Sequence, residues 1–142
     1  MGIVQARGTG RPSHLYARFP CKAREADHLY RITEFRLCFL GCPFRPGSRA
    51  SETEPDGWLT LAGEELAVEI DCGTMTRNQM QAKWRRYDGC PSDILVVTVS
   101  ESRMQRLRAQ AETVRDRALF TTFQRLREGR PWVDWHGNTA TL

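Results

Sequence analysis

Two carboxylates, Asp56 and Glu69, are the residues of this sequence best suited to chemistry. Asp56 follows Pro55 at the start of one apolar stretch, and Glu69 closes the next stretch, with Asp71 two residues further on. Carboxylate oxygens are the ligands that Mg²⁺ and Mn²⁺ prefer. Such a cation polarises a phosphodiester and lowers the pKa of an attacking water. If the two carboxylates lie together, the sequence predicts a metal-dependent site for phosphodiester hydrolysis.

A short β-hairpin is the element that would bring these two side chains together. Residues 58–61 and 66–70 have the pattern of two strands joined by a tight turn at 62–64. In an antiparallel pair the start of one strand lies beside the end of the other, so Asp56 and Glu69 would come within reach of one ion. The alternation also places Glu69 on the opposite face from the larger apolar residues of its strand. The alternative, on spacing alone, is a turn aspartate and a solvent-facing strand glutamate.

The rest of the chain predicts an α/β fold. The order helix, strand, strand, helix, strand, helix, strand indicates a sheet with helices on its faces. Residues 41–54 are expected to form an irregular loop, and residues 6–18 a hairpin or loop with a basic tip. The other predicted elements are a helix at 24–40, a helix from its cap Thr76 to about residue 87, a strand at 93–99, a helix at 101–117 capped by Ser100, and a strand at 119–123.

Charge is unevenly distributed along the chain. Residues 50–71 contain seven acidic residues and no Lys or Arg, whereas the rest carries 21 basic against 10 acidic residues. A basic body suits a polyanion such as DNA, because Lys and Arg displace counterions from phosphates. A confined acidic segment suits a metal ion. Ordinary solvation of the surface is the alternative explanation for both.

The sequence contains no apolar run of the length needed to span a bilayer, and its first residues lack the apolar stretch of a secretory signal. We therefore expect a cytoplasmic protein without a membrane partner. The five cysteines form no regular framework, which predicts reduced thiols. Neither the cysteines nor the three scattered histidines have the spacing of a zinc site.

The motif around the hairpin resembles that of a known nuclease superfamily. Pro55-Asp56 followed by Glu69-x-Asp71 resembles the PD-(D/E)xK motif, and residues 69–87 resemble, more narrowly, the plasmid replication-relaxation family. The stretches that carry this narrower resemblance are EIDCGTMTRNQMQAKWRRY, HLYRITEFRL, DILVVTVSESRMQRLR and ALFTTFQRL.

The resemblance implies a restriction-endonuclease-like core over residues 21–142, with a central mixed sheet flanked by helices. It also implies DNA of a plasmid or another mobile element as the partner. The stretch GTGRPSHLYAR is similar to the wing of a winged-helix domain. Residues 1–20 would then be the remnant of such a wing or a basic N-terminal arm.

Roles for particular residues follow from the same resemblance. Asp56 and Glu69 would hold Mg²⁺ or Mn²⁺, and Asp71 would assist them. Asp71 stands where an ExK motif has its lysine, and Met75 stands where the family has a glutamate. Lys83, which matches the family's lysine on the following helix, would orient the nucleophile or the scissile phosphate. Its expected helpers are Gln79 or Tyr87.

Basic residues on two helices are the candidate contacts to nucleic acid, with a solvated helix face as the alternative. Glu34 on the first helix is either an additional acidic site residue, of the kind that many nucleases of this fold supply, or an ordinary exposed glutamate. The candidate phosphate contacts are Lys83, Arg85, Arg86, Arg103 and Arg106.

Three functions are compatible with these patterns. The leading hypothesis is a DNA endonuclease or nickase that depends on a divalent metal. The second is a non-catalytic DNA-binding accessory factor on a degenerate nuclease scaffold, which is favoured by Asp71 and Met75 at their positions. The third is a protein-interaction domain in a replication or conjugation complex. A second copy of the chain is a further candidate partner.

Overall fold

A seven-stranded mixed sheet forms the centre of the molecule. The computed structural model describes residues 2–6, 13–17, 22–48 and 54–142. A separate antiparallel pair consists of β1 (Gly2–Ala6) and β2 (Ser13–Ala17). The strands of the large sheet, in spatial as well as chain order, are β3 (Phe44–Pro46), β4 (Gly57–Leu61), β5 (Glu64–Asp71), β6 (Ile94–Thr98), β7 (Ala118–Thr122), β8 (Trp132–Val133) and β9 (Thr139–Ala140).

Helices cover both faces of this sheet. The three central strands β5, β6 and β7 are parallel, and the outer strands pair antiparallel. Parallel neighbours need a crossover between them, and two helices, α2 (Arg77–Arg86) and α3 (Glu101–Gln110), lie in these two crossovers. The helices are α1 (Ala23–Cys38), α2 (Arg77–Arg86), α3 (Glu101–Gln110) and α4 (Phe123–Arg127), with a 3-10 turn at Glu112–Val114. The expected α/β fold, a mixed sheet flanked by helices, is confirmed.

Two hydrophobic clusters fill the layers on either side of the sheet. One contains Trp84 of α2 and Leu107 of α3, packed with alternate residues of the central strands. The other contains Phe35 of α1 and Phe123 of α4, packed with the intervening residues. Because side chains of a strand alternate between faces, β6 is buried along its whole length.

The hairpin of β4 and β5 has the tight turn that the sequence predicts. Ala62 and Gly63 both have positive φ, at 51° and 86°, which is the conformation of the two-residue turn that matches the twist of paired strands. Leu61 pairs with Glu64 across the turn. Glu64 therefore begins β5, whereas we expected it in the turn.

Several boundaries differ from the predictions. Residues 44–46, expected in a loop, form the edge strand β3, where Pro46 is tolerated because an edge strand has one unpaired side. The helix expected over 101–117 ends at Gln110, since the 3-10 turn lets Val114 fold into the core before β7 begins. Strand β7 ends at Thr122, whose side chain caps α4. The two-residue strands β8 and β9 were not predicted.

The hairpin or loop expected at residues 6–18 is matched only in part by the pairing of β1 with β2, because β1 lies over Gly2–Ala6, almost entirely before that range. Its basic tip lies outside the described residues. The division of the chain at residue 20 stays a prediction. Within the described ranges, no helix combines the length and the apolar character that crossing a membrane requires.

Candidate functional site

Asp56, Glu69 and Lys83 lie together, although they come from three different parts of the chain. Asp56 directly precedes β4, and Glu69 lies on β5, one residue beyond the partner of Gly57. Lys83 reaches them from α2, which packs on the same face of the sheet as Glu69. The Lys83 Nζ forms an ion pair with Glu69 Oε2 and lies 3.9 Å from Asp56 Oδ2. The hairpin register and the helix together therefore build one compact charged cluster.

Asp56 is held by groups from both layers of the fold. The backbone N–H of Ile70 donates to Asp56 Oδ2 at 2.7 Å, and His28 Nε2 of α1 lies 3.2 Å from Oδ1. Burial alone would raise the pKa of Asp56, but the close contact with His28, the charge of Lys83 and the Ile70 amide lower it overall. Asp56 is consequently a stable anion at neutral pH.

Glu69 is the most deeply buried acid of the cluster, at 2% exposure. The Tyr87 hydroxyl donates to Glu69 Oε1, and Oε2 pairs with Lys83. Burial raises the pKa of Glu69 to about 7, because the favourable contacts with Lys83 and Tyr87 offset only part of the desolvation and the charge of Asp56 adds to it. This carboxyl is therefore poised to gain or lose a proton near neutral pH.

Lys83 owes its position to the way α2 packs. Met80, Trp84 and Tyr87 of this helix are buried in the core, and Lys83 lies one turn before Tyr87 on the same face. Burial by itself would lower the pKa of Lys83, but the charges of Glu69 and Asp56 raise it overall. The lysine is thus a cation with little exposure to solvent, held by two carboxylates.

Of the two expected helpers of Lys83, one contacts the charged cluster and the other does not. Tyr87 contacts the cluster through Glu69. Gln79 instead completes a capping box with Thr76: its side-chain oxygen accepts from the Thr76 N–H at 2.8 Å, and the Thr76 hydroxyl accepts from the Gln79 N–H. Gln79 therefore fixes the start of α2.

Asp71 forms a separate cluster with Arg103. The guanidinium donates to both carboxylate oxygens, at 2.9 Å from Nε and 2.8 Å from the terminal nitrogen, and also to the carbonyl of Met75. Thr98 Oγ1 and the Gly73 N–H donate to the same carboxylate at 2.7 and 3.2 Å. Three of these four donors converge on Oδ2 and one reaches Oδ1, so the contacts of Asp71 are those of a structural tie between β5, β6 and α3.

Three of the four remaining basic candidates lie on the surface. Arg85, Arg86 and Arg106 are exposed, whereas Arg103 points inward to Asp71. Glu34 pairs with Arg31 at 2.9 Å and also with Arg127. The first helix therefore contributes His28 to the cluster, and its Glu34 joins a different set of ion pairs.

His28 is the site residue that the sequence interpretation missed. It lies four residues before Ile32 and seven before Phe35, which is buried. This spacing puts a polar side chain on the core-facing stripe of α1. A histidine on the core-facing side of a helix is the signal in the sequence that could have identified His28.

A cavity of about 610 Å³ gives access to the Asp56 side of the cluster. Its described lining comes from α1 and from the segments that flank β3 and β4. Apolar walls from Ile32, Pro46 and Pro55 alternate with the polar groups of His28 and Asp56. The volume is in the range of small-ligand sites.

The donor types of the cluster fit a hard divalent cation. Mg²⁺ is commonly held by one or two carboxylates, with waters and substrate phosphates completing its coordination. Among residues 22–48 and 54–142, no group of three or more His, Cys, Asp or Glu side chains is arranged to hold a metal ion. Asp56 and Glu69 would therefore supply two ligands, and the others would have to come from water and substrate.

Comparison with known proteins adds no relative to this picture. No protein-family model, no curated protein and no solved structure matches the chain.

Proposed function

We propose that this chain is a DNA-handling protein with a PD-(D/E)xK-type site that hydrolyses phosphodiesters with the help of Mg²⁺ or Mn²⁺. The observation that carries the proposal is the contact of Lys83 with both Asp56 and Glu69. The three residue types of the motif meet in space, even though Asp71 occupies the sequence position where the motif has its lysine. The motif's resemblance to replication-relaxation proteins favours a plasmid or another mobile element as the source of the DNA.

Each residue of the cluster has a role in this proposal. Asp56 and Glu69 would hold the cation. When bound, such a cation lowers the pKa of a coordinated water and polarises the phosphate. Lys83 would stabilise the negative charge that builds up on the phosphate oxygens as water attacks phosphorus and the bond to the leaving oxygen breaks. Tyr87 and His28 would position the two carboxylates through their contacts with Glu69 and Asp56. A nucleotide would approach from the cavity that Asp56 lines.

The test is cleavage of supercoiled plasmid and single-stranded DNA in Mg²⁺ and in Mn²⁺. We expect Asp56→Asn and Glu69→Gln each to reduce cleavage at least 100-fold while the circular dichroism spectrum stays unchanged. Glu64→Gln, on the exposed start of the same strand, is the matched control and should cleave at the wild-type rate. Cleavage that survives in the double variant Asp56→Asn/Glu69→Gln would exclude this site.

A second function, DNA binding without cleavage, is favoured by one specific observation. Lys83 already neutralises part of the charge of the two carboxylates, and Asp71 is engaged by Arg103, Thr98 and Gly73. With these internal partners, Asp56, Glu69 and Asp71 would be stable in the fold without a bound cation. Such a protein would bind DNA in EDTA as well as in Mg²⁺, with an affinity that falls steeply between 50 and 200 mM salt, as expected of ~6–10 phosphate contacts.

A further inference from the structure

The ammonium group of Lys83 contacts the same carboxylates that a divalent cation would need. It pairs with Glu69 Oε2 and lies 3.9 Å from Asp56 Oδ2. The other contacts of these carboxylates are taken: the Ile70 N–H donates to Asp56 Oδ2, His28 lies against Oδ1, and Tyr87 donates to Glu69 Oε1. A cation entering the cluster therefore competes with an internal cation that is already in place.

Displacing Lys83 has a large energetic cost unless the ammonium finds another anion. The Lys83 side chain is 14% exposed, and that of Glu69 is 3% exposed. Removing one partner of such a pair destabilises the protein, because it leaves an uncompensated charge in a largely buried place. A phosphodiester bound next to the site would give Lys83 a new anionic partner. The two carboxylates would then be free to bind the cation.

We propose that Lys83 makes cation binding at Asp56 and Glu69 conditional on a phosphodiester being bound at the same time. This inference rests on the proposed function, since it assumes that the two carboxylates are cation ligands. The ion pairs of Lys83 with the two carboxylates would prevent the protein from binding a divalent cation in the absence of substrate. Cation and DNA would each increase the affinity for the other, as linkage between two ligands requires.

The small number of lysines in the chain makes the effect of Lys83 on cation binding easy to test. The sequence has only two lysines, Lys22 and Lys83, against 19 arginines. Lys22 is exposed at the start of α1, and Lys83 is the one in the cluster. Lys22→Met therefore removes the same charge as Lys83→Met without touching the site, and it serves as the matched control.

The experiment is a titration of the full chain with Mn²⁺, in which free Mn²⁺ is measured by electron paramagnetic resonance. Wild type and Lys22→Met should bind Mn²⁺ weakly without DNA. Lys83→Met should bind at least tenfold more tightly, and Asp56→Asn/Lys83→Met should lose that gain. Adding a single-stranded DNA decamer, with its own Mn²⁺ binding subtracted, should tighten binding by wild type at least tenfold and leave Lys83→Met nearly unchanged. Lys83→Gln tests the same point if the methionine variant does not fold.

Two contrary results have different meanings. If wild type without DNA binds Mn²⁺ as tightly as Lys83→Met, the gating role of Lys83 is wrong, while the cation site of the proposed function stands. If neither protein binds Mn²⁺ with or without DNA, the cation site fails as well and both proposals are overturned. A gain in Lys83→Met that persists in the double variant would place the cation elsewhere and would also overturn the inference.

Discussion

Replacing Glu69 with glutamine should remove the contribution that this carboxyl makes to the pH dependence of stability between pH 4.5 and pH 7. The carboxyl has a pKa of about 7 in the fold, against an ordinary value of 4.5. Because the folded pKa is the higher one, the native state binds the extra proton in this window. The stabilising contribution of Glu69 is therefore complete below pH 4.5 and is lost as the pH rises through 7.

The size of the effect follows from the same two values. Each unit of pKa corresponds to about 1.4 kcal/mol, so the loss between pH 4.5 and pH 8 is about 3 kcal/mol in the free energy of unfolding. The amide of Glu69→Gln cannot ionise, but it keeps the size of the glutamate and an oxygen that accepts from Tyr87. Lys83 and Asp56 contribute little to the change in this window, because the pKa of Lys83 is raised and that of Asp56 is lowered.

The assay is urea denaturation followed by circular dichroism at half-unit steps from pH 4.5 to pH 8. The difference in unfolding free energy between wild type and Glu69→Gln should change by about 3 kcal/mol across the range. Glu64→Gln, exposed at the start of the same strand, should parallel wild type throughout. Parallel curves for wild type and Glu69→Gln would refute the burial of an ionisable Glu69 beside Lys83.

Three further changes test the packing around the site. Asp71→Asn should lower the free energy of unfolding by ~1.5–3 kcal/mol in a urea titration, because it weakens the part-buried, charged hydrogen bonds with Arg103; a loss below ~1 kcal/mol would contradict that role. Tyr87→Phe should cost ~1–3 kcal/mol and steepen the pH dependence, since it removes a donor that lowers the pKa of the neighbouring carboxyl. Acetylation followed by mass spectrometry should modify Lys22 at least tenfold faster than Lys83, and equal rates would show that Lys83 is not buried.

The sequence predicted the elements whose signals are local. Residues Thr76 and Ser100 cap α2 and α3 as expected, because each side chain accepts from a backbone N–H three residues on. The alternation of β5 placed Glu69 on the face opposite Val68 and Ile70, which lie in the cluster with α1. Hairpin geometry then brought Asp56 to the neighbouring position without any long-range information.

Contacts between distant elements could not be predicted in the same way. Arg103 of α3 was expected to contact nucleic acid, but its side chain pairs with Asp71 at the end of β5. The two residues are 32 positions apart, so no local pattern in the sequence indicates this pair. His28 reaches Asp56 from the opposite layer of the fold. Strand β8 pairs with the edge of β7, and β9 pairs with β8. Each has only two residues, which is too short for a periodic pattern in the sequence to predict a strand.

Joint binding of a cation by Asp56 and Glu69 is the premise of the proposed phosphodiester hydrolysis. Its most direct test is the anomalous scattering of Mn²⁺ in a crystal of the full chain grown with a phosphorothioate DNA decamer. We predict one Mn²⁺ peak within about 2.5 Å of an oxygen of each carboxylate, with the Lys83 ammonium moved onto a phosphate. A crystal in which Lys83 still pairs with Glu69 while Mn²⁺ and DNA bind elsewhere would contradict the claim.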